Sequence, residues 1–429
     1  MIHPDDDVLK ARIKKTWPGF RCIFEPLDPG EFSLTLSRLY SEDGADDSPG
    51  PKAGTDEDQN TAIDRIAGDA PVINLLNSIF LEAIAKKASD IHIESGKTDA
   101  AVRFRIDGIL VFIRGISRER AQAVSARLKL LANLNVLETR RPQDGHIDIT
   151  GENYSLDVRI SVTPTIRGES VVLRLLNRSD NVFTLDSLGF SPAHRKIIAG
   201  LLEVSSGLVL VTGPTGSGKT TTLAAVLKEL NAESTKIISI EDPVEYRIEG
   251  ITQIQVNEDL GLTFDAALRR IFRQDPDIIM VGEIRDTETA ELAVRAALTG
   301  HLVFATLHTN DAPEAVFRLQ NMGIPPYMVS AVLRAVIAQR LIRRVCTACG
   351  GAGCDVCSGT GCRGRTVIAE IVAVTPDLAG RISSGIRPGE LAALLKKKRH
   401  TTLFNDAAEK AAAGVTTTDE IRRELGESV

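Results

Sequence analysis

The sequence predicts an α/β protein in which a domain built on a parallel sheet follows a smaller α+β domain. In the second half of the chain, short apolar runs typical of strands buried on both faces alternate with helix-forming segments. The part before them combines an amphipathic helix with strands of alternating polarity. At a rough ~150 residues per domain, a chain of 429 residues has room for several such units.

The bulk composition is that of an ordinary water-soluble protein. Apolar residues make up 43% of the chain and charged residues 25%, with a net charge of −6, which favours neither nucleic acid nor an anionic membrane surface as a partner. No apolar run approaches the ~20 residues that span a bilayer, and the N-terminus has no signal-peptide layout. We therefore expect a cytoplasmic protein with no transmembrane segment and no nucleic-acid partner.

A glycine-rich loop lies between the apolar run Gly207–Thr212 and a helix-forming stretch that ends at Leu230. A strand, a loop of this composition and a helix meet the structural requirement of a P-loop, in which backbone N–H groups and a helix N-terminus bind phosphate oxygens. We predict that a nucleoside triphosphate binds here, with Lys219 on its outer phosphates and the Thr220 hydroxyl on Mg²⁺. The predicted binding residues are Gly213, Pro214, Thr215, Gly216, Ser217, Gly218, Lys219, Thr220 and Thr221.

Three further apolar runs end in polar side chains: Glu241 with Asp242, then Glu283, then His308. In open α/β sheets the carboxyl ends of the strands form the ligand-binding edge. One acid at a strand end is commonly only a helix cap, but several charged groups at one edge favour a catalytic site. We predict that Glu283 orients the attacking water, that Glu241 acts nearby through a water or the metal, and that His308 belongs to the same site.

Phosphoryl transfer also needs positive charge against the transition state, and these motifs fix no arginine there. Arg159 and Arg174, in the preceding domain, are candidates, and so are Arg269 and Arg273 in the sheet domain. The first pair would make hydrolysis depend on domain position. The alternative for that pair is a solvated strand face, since charged residues are mostly exposed.

Five of the six cysteines fall between Cys346 and Cys362. Two CxxC pairs, Cys346 with Cys349 and Cys354 with Cys357, offer the four thiolates of a tetrahedral zinc site. Only a short glycine-rich segment separates the pairs, so free thiols are the alternative. Cys362 is surplus to the set.

Taken together, these segments resemble the secretion ATPase superfamily, specifically the type II secretion and type IV pilus assembly ATPases (general secretion pathway protein E-like). The resemblance covers residues 69 to about 425 and is most specific in the glycine-rich loop, in Ile240–Glu245, in Gly282–Asp286 and in Thr306–Asn310. It implies a RecA-like P-loop motor preceded by a PAS-like α+β domain, with a small tetracysteine module and a helical C-terminal region. In the same family Glu283 matches the catalytic glutamate, and Arg159 and Arg174 match arginines that reach the nucleotide.

The resemblance further implies a homo-hexamer that uses ATP, Mg²⁺ and Zn²⁺ and drives an inner-membrane platform protein to add pilin-like subunits to a fibre. The motor would be cytoplasmic and peripherally associated with the inner membrane through that protein and membrane-anchored components. Two alternatives stay open: a retraction or conjugation-type motor, which generally lacks the cysteine module, and a catalytically idle ring scaffold. The expected units are an arm and acidic linker (1–68), the PAS-like domain (69–176), an interdomain linker (177–190), the RecA-like domain (191–380) with its cysteine knuckle (344–366), and the helical region (381–429).

Overall fold

A computed structural model describes residues 70–150, 155–177, 183–398 and 400–426 of the chain. These residues contain a six-stranded and a seven-stranded sheet. The predicted arm and acidic linker, residues 1–68, lie outside the described residues, as does part of the predicted interdomain linker.

The first sheet is built from strands with alternating polarity. Its elements are α1 (Ala70–Ala85), β1 (Asp90–Ser95), β2 (Asp99–Ile106), β3 (Ile109–Ser117), α2 (Arg118–Leu131), β4 (Gln143–Thr150), β5 (Ser155–Thr165) and β6 (Gly168–Asn177), in the strand order β3-β2-β1-β6-β5-β4. Alternate side chains of β1 and β2 are buried, among them Ile91 and Phe104, as a period of two requires. Asp107 and Gly108 join β2 to β3 with φ of 49° and 86°, the two left-handed positions of the predicted tight turn.

The second helix of this unit is shorter than the sequence predicts. The apolar periodicity from Arg120 to Leu137 predicts one helix over these residues, but α2 ends at Leu131. Asn133 has a left-handed φ of 55°, and the N–H of Leu134 donates to the Lys129 carbonyl at 2.8 Å. Asparagine tolerates this conformation, so it ends the helix although apolar residues continue beyond it.

The second sheet is parallel except for one edge strand. Its strands are β7 (Gly207–Thr212), β8 (Ile237–Glu241), β9 (Thr252–Gln255), β10 (Ile278–Val281), β11 (Leu302–Leu307), β12 (Leu333–Val345) and β13 (Cys362–Ala373). They lie in the order β13-β12-β7-β11-β10-β8-β9, and β13 pairs antiparallel with β12. The strands predicted from apolar runs are confirmed as β7, β8, β10 and β11, and every residue of these four strands is buried.

Helices cover both faces of this sheet, which is why its central strands read as continuous apolar runs. Two buried clusters, one on each side, are centred on Leu210 with Ile279 and on Val211 with Phe304. The helices are α3 (Pro192–Leu202), α4 (Lys219–Leu230), α5 (Phe264–Ile271), α6 (Thr287–Leu298), α7 (Ala312–Asn321), α8 (Pro326–Val332), α9 (Pro376–Ser383), α10 (Pro388–Lys397), α11 (Leu403–Ala412) and α12 (Thr418–Leu425). None of the described helices is long and apolar enough to cross a bilayer.

The predicted helical C-terminal region packs against the outer strands. Leu403, Ala407 and Ile421 form a small core with Ile342 of β12 and Ile368 of β13. Each of these helices is short, so burial of its apolar face supplies most of its stability.

The start of α12 departs from the local capping pattern. Thr417 is the N-cap, and its hydroxyl accepts from the Glu420 N–H at 3.2 Å. The Glu420 carboxylate, which a capping box would direct to the N-cap N–H, instead accepts from the backbone N–H and the guanidinium of Arg343 and from Arg423. Burial alone would raise the pKa of Glu420, but these hydrogen bonds outweigh it and lower the pKa to about 2.

Candidate nucleotide site

The glycine-rich loop joins β7 to α4 with the backbone that its glycines allow. Gly218, the N-cap of α4, has a φ of 85°, and a Cβ on Gly213 would lie 2.5 Å from the Gln339 carbonyl. Larger residues are therefore excluded at Gly213 by close approach and disfavoured at Gly218 by conformation. The loop presents the start of α4, with its free N–H groups, to the cavity.

Lys219 lies folded against its own loop. Its Nζ donates to the carbonyls of Gly213 at 2.8 Å and Pro214 at 3.1 Å. Burial lowers the pKa of Lys219 to about 8, although the charge of Glu283 opposes the shift. A phosphate that displaces these carbonyls would offer the ammonium group charged acceptors.

A glutamine of β12 supports the loop from below. Gln339 is fully buried; its Nε2 donates to the Ser217 carbonyl at 2.7 Å, and its Oε1 accepts from the Thr222 hydroxyl at 2.9 Å. The next residue, Arg340, donates to the Asn310 carbonyl at 3.0 Å in the loop after β11. Neither residue can be assigned to the site from the sequence alone, because a polar residue in an apolar strand carries no sign of its distant partner.

The strand-end residues named from the sequence line one cavity of about 440 Å³. Val281 of β10 pairs with Ile240 of β8 and Ala305 of β11, so these parallel strands end at the same level. Glu241, Glu283 and His308 therefore line the cavity together with the loop residues from Thr215 to Thr221. Gly213 and Pro214 contribute through the carbonyls that hold Lys219.

Glu283 is held by two basic side chains. His308 Nε2 lies 3.2 Å from Glu283 Oε2, and Arg285 forms an ion pair with the same carboxylate. Arg285 also lies 3.7 Å from Asp242. Arg285 belongs to the segment Gly282–Asp286, but the sequence of that segment does not by itself indicate that its arginine contacts Glu283.

Glu241 is nearly enclosed, with 5% of its surface exposed. Burial raises its pKa, and hydrogen bonds from Ser239 and Gln253 partly offset the rise. Ser239 donates to Glu241 Oε1 at 2.6 Å and Gln253 donates to the same oxygen at 2.9 Å.

The candidate arginines lie in different places. Arg159 is on β5 and Arg174 on β6 of the six-stranded sheet. Arg269 pairs with Glu288, and Arg273 is exposed; neither is among the described residues that line the cavity, whereas Arg285 and Arg365 are. Arg269, on α5, and Arg273, which follows that helix, lie outside the lining of this cavity, and their role stays a prediction.

The four cysteines of the two CxxC pairs come together after β12. Their sulfur atoms lie within 4.8 Å of one another, with Cys346 to Cys354 at 4.0 Å and Cys349 to Cys357 at 3.9 Å. Zinc–sulfur bonds of ~2.3 Å in a tetrahedron separate the sulfurs by ~3.8 Å, so the set fits zinc. Backbone N–H groups of Gly353 and Cys354 point at two of the sulfurs, and Cys362 lies outside the set.

Comparison with known proteins agrees with this arrangement. The family model described as "Type II/IV secretion system protein" matches residues 65–423. The chain belongs to this family. Within it, the chain is 41% identical over 416 residues to the type II secretion system protein HxcR of Pseudomonas aeruginosa, covering 93% of this chain and 89% of that protein. It is 42% identical over 425 residues to the type IV pilus assembly ATPase PilB of Myxococcus xanthus, covering 90% of this chain and 75% of that protein.

Solved structures support the fold of this type II/IV secretion family member. The pilus retraction motor PilT with bound ADP matches with a TM-score of 0.58 at 28% identity, over 80% of this chain and 95% of that one. The ATPase DotB of Legionella pneumophila matches with a TM-score of 0.66 at 22% identity, over 81% and 94%; at that identity it bears on the fold alone. The predicted P-loop α/β fold and the resemblance to this family are confirmed.

Proposed function

We propose that the chain is the ATP-hydrolysing motor of a type II secretion or type IV pilus assembly system. It acts as a homo-hexamer at the cytoplasmic face of the inner membrane, and it drives a membrane platform protein with its membrane-anchored partners. The observation that carries the proposal is the single cavity lined by Lys219, Glu241, Glu283 and His308. Family membership and relatives named as ATPases support it.

Binding and hydrolysis follow from the positions of these side chains. The loop N–H groups and Lys219 bind the phosphates, and the Thr220 hydroxyl would hold the Mg²⁺ that neutralises phosphate charge. Glu283, in hydrogen-bond reach of His308, orients the attacking water and accepts its proton. Glu241 supports the same water network from the neighbouring strand.

The first domain completes this proposal. Residues 69–176 form the PAS-like domain, and Arg159 and Arg174 supply positive charge to the nucleotide in addition to Arg285, which pairs with Glu283. Cys346, Cys349, Cys354 and Cys357, in the segment between β12 and β13, would hold Zn²⁺, which would have a structural role there. For the units we propose the boundaries expected from the sequence.

The alternatives have different consequences. A retraction or conjugation-type motor shares the fold, as the match to PilT illustrates, but the tetracysteine set and the relatives named for secretion and pilus assembly favour an assembly motor. A catalytically idle ring scaffold would not need its P-loop lysine and two strand-end glutamates in one cavity.

Substitution of Glu283 tests the catalytic part. We expect Glu283→Gln to keep ATP affinity within about threefold and to lower turnover by about a hundredfold or more, as loss of a general base does. Glu288→Gln is the matched control, because Glu288 is an exposed acid paired with Arg269. Equal steady-state rates for wild type and Glu283→Gln would remove the assignment.

Deletion of the gene in its host tests the biological part. An assembly or secretion motor is required to build the fibre or to secrete the cargo. Deletion of the gene therefore abolishes the fibre or the secretion, and expression of Glu283→Gln does not restore either. A retraction motor gives the opposite result, an excess of fibres. Restoration by Glu283→Gln would indicate an idle scaffold.

A further inference from the structure

The edge strand β9 carries a glutamine that contacts the proposed site from outside its motifs. Gln253 pairs with Ser239 of β8 in the parallel register, two positions before the pairing of Gln255 with Glu241. Side chains two residues apart lie on the same face of a strand. Ser239, Glu241 and Gln253 therefore lie on one face of the sheet, where their side chains meet.

The amide of Gln253 is fully engaged. Its Nε2 donates to Glu241 Oε1 at 2.9 Å and to the Tyr246 carbonyl at 2.9 Å, and its Oε1 accepts from the Ile248 N–H at 2.8 Å. These bonds fix the orientation of the amide, because a flipped amide would place its NH₂ group against the Ile248 N–H. The donors necessarily face Glu241 and Tyr246.

The same contacts connect Glu241 to the nucleotide loop. The segment after β8, residues 242–250, is held by Gln253 at Tyr246 and Ile248. The Tyr246 hydroxyl in turn lies 3.1 Å from the Thr221 hydroxyl of α4. Thr221 follows Thr220, the residue proposed to hold Mg²⁺.

We propose that Gln253 is a positioning residue for ATP hydrolysis, which holds the Glu241 carboxylate and the 242–250 segment in their working geometry. The inference rests on the proposed function. Gln253 does not line the cavity and acts through Glu241. A carboxylate held by two donors on one oxygen keeps a single orientation, and misplacement of a catalytic group by about 1 Å can cost on the order of a hundredfold in rate.

Gln253→Met and Gln255→Met are a matched pair of variants. Gln255 lies on the same strand and accepts from the Val244 N–H at 3.2 Å, so each substitution removes one acceptor from the 242–250 segment. Only Gln253→Met also removes the amide that donates to Glu241 and to the Tyr246 carbonyl. We expect Gln253→Met to lower kcat by about tenfold, the equivalent of one hydrogen bond to a charged group, with KM for ATP within about threefold. Gln255→Met stays within about twofold of wild type.

A double-mutant cycle separates positioning from general stability. If Gln253 acts through Glu241, Gln253→Met costs less than about twofold in a Glu241→Ala background, since coupled residues are not additive. Equal losses in both backgrounds, equal losses for Gln253→Met and Gln255→Met, or an unchanged kcat for Gln253→Met would each overturn the inference. If Gln253→Met does not fold, Gln253→Glu replaces it, because a carboxylate still accepts from Ile248 but cannot donate to Glu241, and its kcat must fall.

Different results would contradict the proposed function and the role of Gln253. Wild-type protein that hydrolyses no ATP, alone or with membranes containing its platform protein, defeats the proposed function. Wild-type protein whose turnover depends on Glu283 but not on Gln253 defeats this inference alone.

Discussion

The lowered pKa of Lys219 makes nucleotide affinity depend on pH in a defined direction. In the nucleotide-free site, burial lowers the pKa of this lysine to about 8. Bound phosphates favour its charged form and raise the pKa again. Nucleotide binding above pH 8 is therefore coupled to uptake of a proton, and affinity falls as the pH rises through that value.

The size of the effect follows from the pKa. With a value of about 8, roughly nine-tenths of the lysine is charged at pH 7 and about one-tenth at pH 9. Affinity for ADP should fall about tenfold over this range, or about 1.4 kcal/mol. The terminal phosphate of the nucleotide, with a pKa of about 6, is ionised throughout and adds little.

Calorimetric titration with ADP at pH 7, 8 and 9, without added metal, measures both quantities. Two buffers of different ionisation enthalpy should give an uptake of about half a proton at pH 8. Lys219→Arg is the control, because arginine stays charged across this range and its pH dependence should disappear. Identical pH slopes for wild type and Lys219→Arg, or no proton uptake by wild type, would refute the reasoning.

Three other predictions follow from the described contacts and the resemblance. Glu420→Gln should lower the free energy of unfolding in urea by about 2 kcal/mol at pH 7. Because the pKa of Glu420 in the folded wild type is about 2, the difference in unfolding free energy between wild type and variant should shrink as the pH falls from 4.5 towards 2. A difference that stays constant over this range would contradict the prediction. Purified protein should contain one zinc per chain by elemental analysis, which Cys354→Ser lowers and Cys362→Ser leaves unchanged; metal-free wild type would indicate free thiols. Arg159→Ala or Arg174→Ala should lower kcat more than nucleotide affinity. An unchanged kcat for both variants would indicate that these arginines only lie on a solvated strand face.

Local patterns were sufficient for the parts of the protein that depend on neighbouring residues. The apolar run Gly207–Thr212 has the same bounds as β7. A strand buried on both faces is one continuous run of buried residues, so the bounds of the run are those of the strand. The side chains of Glu241, Glu283 and His308 could be grouped from sequence, since parallel strands bring their carboxyl ends to one edge.

Contacts between distant segments could not be predicted in this way. Gln339 reaches Ser217 across 122 positions of the chain, and Gln253 reaches Glu241 from a strand that matched no motif. Glu420 has the spacing of a capping box with Thr417, yet Arg343 provides stronger, charged donors from 77 positions away. In each case a tertiary partner determines the role of the residue, and the neighbouring sequence predicts either no role or a different one.

The length of β12 has a mechanical consequence. Its 13 residues carry the support of the phosphate loop at Gln339 and lead directly into Cys346, roughly 23 Å further on at ~3.3 Å per residue. The strand pairs with β7 as far as Ala338 and with β13 as far as Val345. Its register shifts between Leu333 and Ala335 against β7 and between Arg343 and Val345 against β13. Gln339, which supports the nucleotide loop, and the cysteine knuckle thus belong to one continuous strand, so a displacement of the knuckle would be transmitted to the ATP-binding loop along paired backbone.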